Sequence, residues 1–307
     1  MGEEFLVVVS LKMSDSTSHD NIHHDHEKPF VQHISGTQDL SRQITLQLNA
    51  DQYERLFFQP NSAKGDLSRR LGNPTLLGLL GFLIPFSSTV FSLLQFQGSS
   101  PSSLTSLCGT FYMFGGPAMI LAGICEFILG NSFPFAVFGI FGSHWLYLGL
   151  LNDPMHNVAG SYATTVAGVT VPGALSQEYN SGQGNYSVVM ALICFIFLLG
   201  SLRTNVPFVV VFFTLVFVFS FLAAGYYHLG WYPTAEGLDR ATYFFKIAGG
   251  FGFVTIIMGW YLAIITSCAS TGVPCPLPVF DLSTKVFARD REGAKSEHAG
   301  AVRRDAL

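Results

Sequence analysis

Glu126 is the only carboxylate inside the long apolar stretches of this chain, in the segment AMILAGICEFILGN. An unpaired carboxylate in hydrocarbon costs several kcal/mol, so a side chain here must be paired, protonated or in contact with water. It either caps neighbouring helix ends and snorkels, or it is a proton site or gate element. The second is the sharper expectation. His144 lies in another apolar stretch and is the next candidate for a proton or gate role. Its plain alternative, shared with His228, is a hydrogen-bonded packing residue. Arg203 reads as an anchor to phosphates or a cap on C-terminal carbonyls.

Other chemistry finds little footing. The run His23, His24, Asp25, His26, Glu27 has metal-ligand types but no scaffold, and reads as a solvated tail. The five cysteines are odd in number and form no CxxC or Cys/His spacing, so they read as small buried apolar residues. No HExxH, GxSxG or intramembrane Asp pair is present, and no enzyme activity, metal or cofactor is expected.

The elements that must position these residues follow from composition. Apolar residues make up 49% of 307 and charged residues 12%, where an ordinary globular chain is about a quarter charged. From Leu71 to Arg240 the charged side chains are only Glu126, Asp153, Glu178, Arg203, Glu236, Asp239 and Arg240. Such a body is solvated by lipid. About twenty apolar residues cross the hydrocarbon core as a helix, and six stretches qualify: residues 74–96, 107–129, 133–151, 186–202 (short), 207–227 and 243–268. Continuous apolar runs of this length disfavour a β-barrel. At the first, Asn73 suits an N-cap and Pro74 the first helical position. The glycines Gly78 and Gly81, Gly115 and Gly116, Gly139 and Gly142, and Gly249, Gly250 and Gly252 suit close helix contacts rather than phosphate loops. The fold class is therefore an all-α membrane protein of six transmembrane helices.

Lys and Arg concentrate before the first span and after the sixth, which places both termini in the cytoplasm. The loop at residues 152–185 then faces outward and reads as irregular. Its end, Asn185-Tyr186-Ser187, is a glycosylation sequon that abuts the membrane. Residues 1–68 are expected to be a disordered polar cytoplasmic tail, 69–270 the six-helix domain, and 271–307 a cytoplasmic tail. A short interfacial helix is expected at residues 51–59. No signal peptide is evident, and MSDSTSHD from Met13 reads as a more natural start than Met1.

Several motifs resemble the acetate uptake transporter family, the small-carboxylate permeases of bacteria and fungi. Its first-helix signature NPxPLGL is matched by Asn73-Pro74-Thr75-Leu76-Leu77-Gly78-Leu79. FGGPAMILAGICEFILGNSFPFAVFGIFGSHW is similar to its second and third helices. GSLRTNVPFVVVFFTL, GGFGFVTIIMGWY and LPVFDLS look like fungal members in particular.

The resemblance implies a protomer with a central pore, assembled as a homo-oligomer, typically a hexamer, in the plasma membrane. It implies acetate or a similar short-chain monocarboxylate as substrate, the partners being that acid, protons and membrane lipid, with no nucleic acid. The family's constriction of Phe, Tyr and Leu falls on Phe82, Phe141 and Leu215, an apolar ring that charges an anion a dehydration cost. Asn73, Pro74 and Gly78 would form the inner mouth, where a helix N-terminus suits a carboxylate. Glu126 matches the family's second-helix Glu. The family's Gln is Met119 here, its constriction Tyr is Phe141, the Phe before the Trp is His144, and a Leu replaces the second Pro of the signature. The expected activity is a transporter or channel, proton-linked. The alternatives are an ammonium or ammonia exporter and a non-conducting acid-stress sensor or scaffold.

Overall fold

The computed structural model describes residues 71–166 and 169–282. The polar tail, the interfacial segment at 51–59, Arg69, Arg70 and the chain after 282 lie outside the described residues. Among the described residues, six helices are long and apolar enough to cross a membrane: α1 (Thr75–Leu93), α2 (Pro101–Ile128), α3 (Ser132–Asn152), α4 (Gln177–Ser201), α5 (Val206–Trp231) and α6 (Ala235–Thr271). Sequential helices pack closely at α1–α2, α2–α3, α4–α5 and α5–α6, α6 returns onto α1, and α3 meets α4 through side chains such as His144 with Tyr186, so the six close a ring. α1 is the most buried of the six, two-thirds buried, whereas α4 is one-third buried. The outer faces carry residues such as Leu121, Ile124, Leu192, Phe195 and Ile196, exposed and apolar, as a lipid-solvated surface requires.

Helix ends follow local chemistry. Asn73 caps α1, accepting from the Thr75 amide at 2.8 Å, and Pro74 is the N-cap residue rather than the first helical one. Ser176, Asn205 and Thr234 accept from the amides three residues on at the starts of α4, α5 and α6. Each satisfies an orphan donor of the first turn. Gly272 ends α6 at φ +71°, the left-handed conformation that favours glycine at a helix stop. α2 opens as a tight turn at Pro101–Leu107 and widens to a π-turn at Phe111–Gly115, just before Pro117.

Helix contacts rest on small residues. On α6, Gly252 lies against Val90 and Gly259 against Leu83 of α1, so that a methyl at Gly252 would meet the Val90 side chain at 2.7 Å and one at Gly259 the Leu83 side chain at 2.6 Å. Gly142 of α3 meets Ile120 and the Gly116 carbonyl of α2 in the same way. Lipid gives helices little reason to associate, and close backbone approach compensates. Gly115 is the tightest useful test, because a Cβ there would drive into the base of the Trp145 ring. Gly115→Ala is expected to cost ~1–3 kcal/mol through overpacking, read as a lower melting temperature in detergent. Gly139 has open space around it, and Gly139→Ala is expected to leave that temperature unchanged or raise it.

Three expectations change. α4 begins at Gln177, nine residues before the expected 186, and is not short. Its first turns are polar and escape a hydropathy reading, yet their side chains are satisfied by neighbours. Asn180 donates to the Ala174 and Ser176 carbonyls, Gln183 accepts from the Tyr147 hydroxyl, and Asn185 accepts from the Tyr227 hydroxyl at 2.6 Å. The sequon asparagine is thus a helical residue with its side chain engaged.

The outer loop is correspondingly shorter, and it carries an antiparallel hairpin, β1 (Thr164–Val166) with β2 (Val169–Val171). Gly173 lets this loop fold tightly, since any Cβ there would overlap the Ala159 carbonyl. α6 extends beyond the expected 243–268 at both ends; its 37 residues span ~55 Å. The stretch after it, within the segment expected as a cytoplasmic tail, packs back on the body. The Val206 amide donates to the Phe280 carbonyl and the Leu282 amide to the Thr204 carbonyl, and Val279 is buried.

Candidate permeation path

Two cavities stack along the helix ring. The first, on the Asn73 side, holds about 30 Å³ of water-sized space and is lined by Leu79 and Phe82 of α1, Met119 of α2, Phe138 and Phe141 of α3, and Leu215 of α5, with further apolar neighbours. The second, nearer the outer loop, holds about 80 Å³ and is lined by Phe86, Thr89, His144, Trp145, Tyr186 and Tyr226 among others. In α1, α3 and α5 the first cavity takes the earlier residues and the second the later ones. The layers therefore run across all three helices at one level. Both volumes exceed what a water molecule needs.

Aromatic side chains divide the two. Phe82 stacks on Phe86 with centroids 4.8 Å apart and meets Phe141 edge-on at 5.7 Å. Trp145 wedges against Phe86 at 6.3 Å and Phe82 at 6.4 Å, with Phe111 stacked behind it at 5.4 Å. Such edge and offset contacts are the favoured aromatic geometries. Leu215 completes the wall of the first cavity and is 1% exposed. The indole N–H of Trp145 has no hydrogen-bond partner among the described residues, so its bulk rather than its polarity is used. The structure brings Phe82, Phe141 and Leu215 to one cavity, and adds Phe86 and Trp145, which sequence reasoning missed. Trp145 adjoins His144 in the motif FGSHW, and Phe86 lies one helical turn after Phe82. That spacing was the available signal.

Glu126 is placed elsewhere. It is fully buried, lines neither cavity, and sits at the end of α2 beside the start of α1. The Thr75 hydroxyl donates to its Oε1 at 2.7 Å, and the Asn131 amide donates to its Oε2 at 2.7 Å. The Asn131 backbone N–H also donates to the Glu126 carbonyl at 2.8 Å. The carboxylate therefore ties the first residue of α1 to the α2–α3 turn, joining the NPT and GN motifs. A buried carboxyl group is tolerable when its lone pairs are occupied in this way. Asn73 is exposed and Pro74 half-buried at the same end, and Gly78 faces the Phe138 ring of α3, where it allows close packing.

His144 lines the second cavity, away from Glu126. Its Nδ1 is 2.7 Å from the Tyr186 hydroxyl of α4, and the two rings stack at 10°. Met119, where the resemblance expects a Gln, is buried in the wall of the first cavity. Phe141 is buried in the same wall, so the first cavity carries no polar lining side chain.

Comparisons with known proteins follow the same lines. The sequence profile of the GPR1/FUN34/yaaH family matches residues 57–284. The chain is 35% identical over 237 residues to the protein alcS of Aspergillus fumigatus, covering 77% of this chain and 85% of that one. It is 28% identical over 203 residues to the acetate transporter protein patA of Penicillium expansum, covering 66% and 75%. In fold it is similar to the bacterial acetate channel SatP, with a TM-score of 0.51 at 24% identity, over 68% of this chain and 99% of that one.

Proposed function

Because this chain belongs to the GPR1/FUN34/yaaH family, we propose that it is a multi-pass plasma-membrane permease for acetate or a similar short-chain monocarboxylate, linked to protons. The observation that carries the reading is the aromatic barrier between two stacked cavities on a closed ring of six helices. A carboxylate loses hydration at an apolar ring, and that cost rises with charge and polar surface. A small acid with one carboxyl group and a methyl passes most easily.

Both tails lie in the cytoplasm in this reading, which makes the Asn73 side the inner mouth. There the N-terminus of α1 offers partial positive charge to an anion. Glu126 acts as a gate element at that mouth. As a carboxylate it accepts from both Thr75 and Asn131; protonation converts one acceptor position into a donor and loosens the tie. The working unit is a homo-oligomer, typically a hexamer by family resemblance, with a path through each protomer.

The test is uptake of labelled acetate into proteoliposomes of the purified protein, with and without an inward proton gradient. Stimulation by the gradient is expected. Uptake indifferent to the gradient would leave a carboxylate channel and remove proton linkage. No acetate flux from folded protein would overturn the reading, and ammonium flux in the same vesicles would then identify an exporter of that cation or of ammonia. Absence of either flux would leave a sensor or scaffold.

A further inference from the structure

The cavity on the outer-loop side contains polar groups that a purely apolar filter does not need. His144 is buried to 8% exposure and clamped on several sides. Tyr186 stacks on it, Phe219 meets it edge-on at 5.3 Å, and Trp145 lies at 5.4 Å. One ring nitrogen is engaged by the Tyr186 hydroxyl. The other, Nε2, has no hydrogen-bond partner among the described residues, and yet it is not sealed away as the Trp145 nitrogen is. Tyr186 is in turn fixed by Tyr147, whose ring centroid is 4.2 Å away and whose hydroxyl donates to Gln183. The arrangement holds an imidazole rigidly in the cavity wall with one nitrogen left for a ligand.

The chemistry of that nitrogen selects the ligand. In a neutral imidazole one nitrogen donates and the other accepts. When the Tyr186 hydroxyl donates to Nδ1, the Nε2–H is a donor for a carboxylate or for the carbonyl oxygen of an acid. When Nδ1–H donates to Tyr186, Nε2 accepts from the O–H of an undissociated acid. The pair therefore matches a carboxyl group in either protonation state. Phe86, Trp145 and Leu148 in the same cavity offer only apolar surface, which suits the alkyl end of such a molecule.

Resting on the reading above, we propose that His144, positioned by Tyr186, hydrogen-bonds the carboxyl group of a short monocarboxylic acid on the outer-loop side of the aromatic barrier, with the acid's alkyl end turned toward Phe86 and Trp145. The polar contact at this barrier is thus one helical turn beyond Phe141, and on one side only. His144 is the binding residue and Tyr186 the positioning residue.

The experiment uses the full-length protein in proteoliposomes, with His144→Phe, Tyr186→Phe and the double variant. Acetate supplied from the outer-loop side is expected to show an apparent KM raised about tenfold in each single variant, the loss of one oriented hydrogen bond. The maximal rate stays within about twofold. The double variant is expected to be no worse than His144→Phe, because the two residues act as one unit. His144→Gln, which keeps a donor and an acceptor, is expected to restore part of the loss. Acetate supplied from the Asn73 side is expected to show an unchanged KM.

Saturation-transfer NMR on the acetate methyl, with the same proteins in detergent, reads binding without flux and is expected to weaken in the same order. Unchanged KM in both single variants would overturn the assignment, as would equal changes from both sides or a fall in maximal rate alone. Wild-type protein that binds acetate through His144 but shows no flux would uphold this site and overturn the permease reading. Protein that does neither would overturn both.

Discussion

On the proposed permease reading, Phe82→Ala is expected to let lactate and succinate through a pore that otherwise favours acetate. Phe82 sits at the centre of the barrier's ring contacts: it lines the cavity on the Asn73 side, stacks on Phe86, and meets Phe141 and Trp145. Cutting it to a methyl joins the two cavities through the space its ring occupied. Larger acids then pass without shedding as much water, and the uptake ratio of lactate to acetate is expected to rise by about tenfold or more, equivalent to ~1.4 kcal/mol in relative barrier.

The substitution also removes core packing, and a buried Phe→Ala change costs ~3–5 kcal/mol of stability. Leu215→Ala is the companion, since Leu215 lines the same cavity from α5 and its truncation costs ~2–5 kcal/mol. Either variant recovered as folded protein suffices. Unchanged selectivity among these acids in a folded variant would mean that the barrier lies elsewhere.

Glu126→Gln is expected to abolish uptake or to remove its dependence on pH, with normal amounts of protein at the surface. The amide has one acceptor where the carboxylate has two, so either Thr75 or Asn131 must reverse its role or lose its bond. In the gate reading the variant is fixed near the protonated condition, and uptake between about pH 4 and pH 7 is expected to be flat. Thr75→Val separates gate from mere packing, because it removes the hydroxyl donor while leaving the charge of Glu126 in place. It is expected to shift the pH dependence without flattening it. Wild-type uptake across that range in Glu126→Gln would return the residue to a purely structural tie.

Much of the architecture was legible in the residues alone. A bilayer demands long apolar helices, and the six stretches were therefore visible as composition, with Asn73 and Pro74 marking the first. The ends of α4 and α6 were not, because their first turns are polar and helical at once. Only neighbours such as Ala174, Tyr147 and Tyr227 satisfy Asn180, Gln183 and Asn185.

The same division runs through the site. Glu126 and His144 stood out as polar groups in apolar segments, since burying them carries a cost that must be met. Phe82, Phe141 and Leu215 did not stand out by periodicity, and came forward only through motif resemblance. What the sequence by itself determined was that lipid solvates this chain, where its helices cross, and which few side chains need partners there. The tertiary structure decided which partners those are. Thr75 lies 51 residues from Glu126 and Tyr186 lies 42 from His144, and no local pattern encodes contacts made across separate helices. Packing of the helices placed one group between the end of α2 and the start of α1, out of the cavities, and the other in a cavity wall.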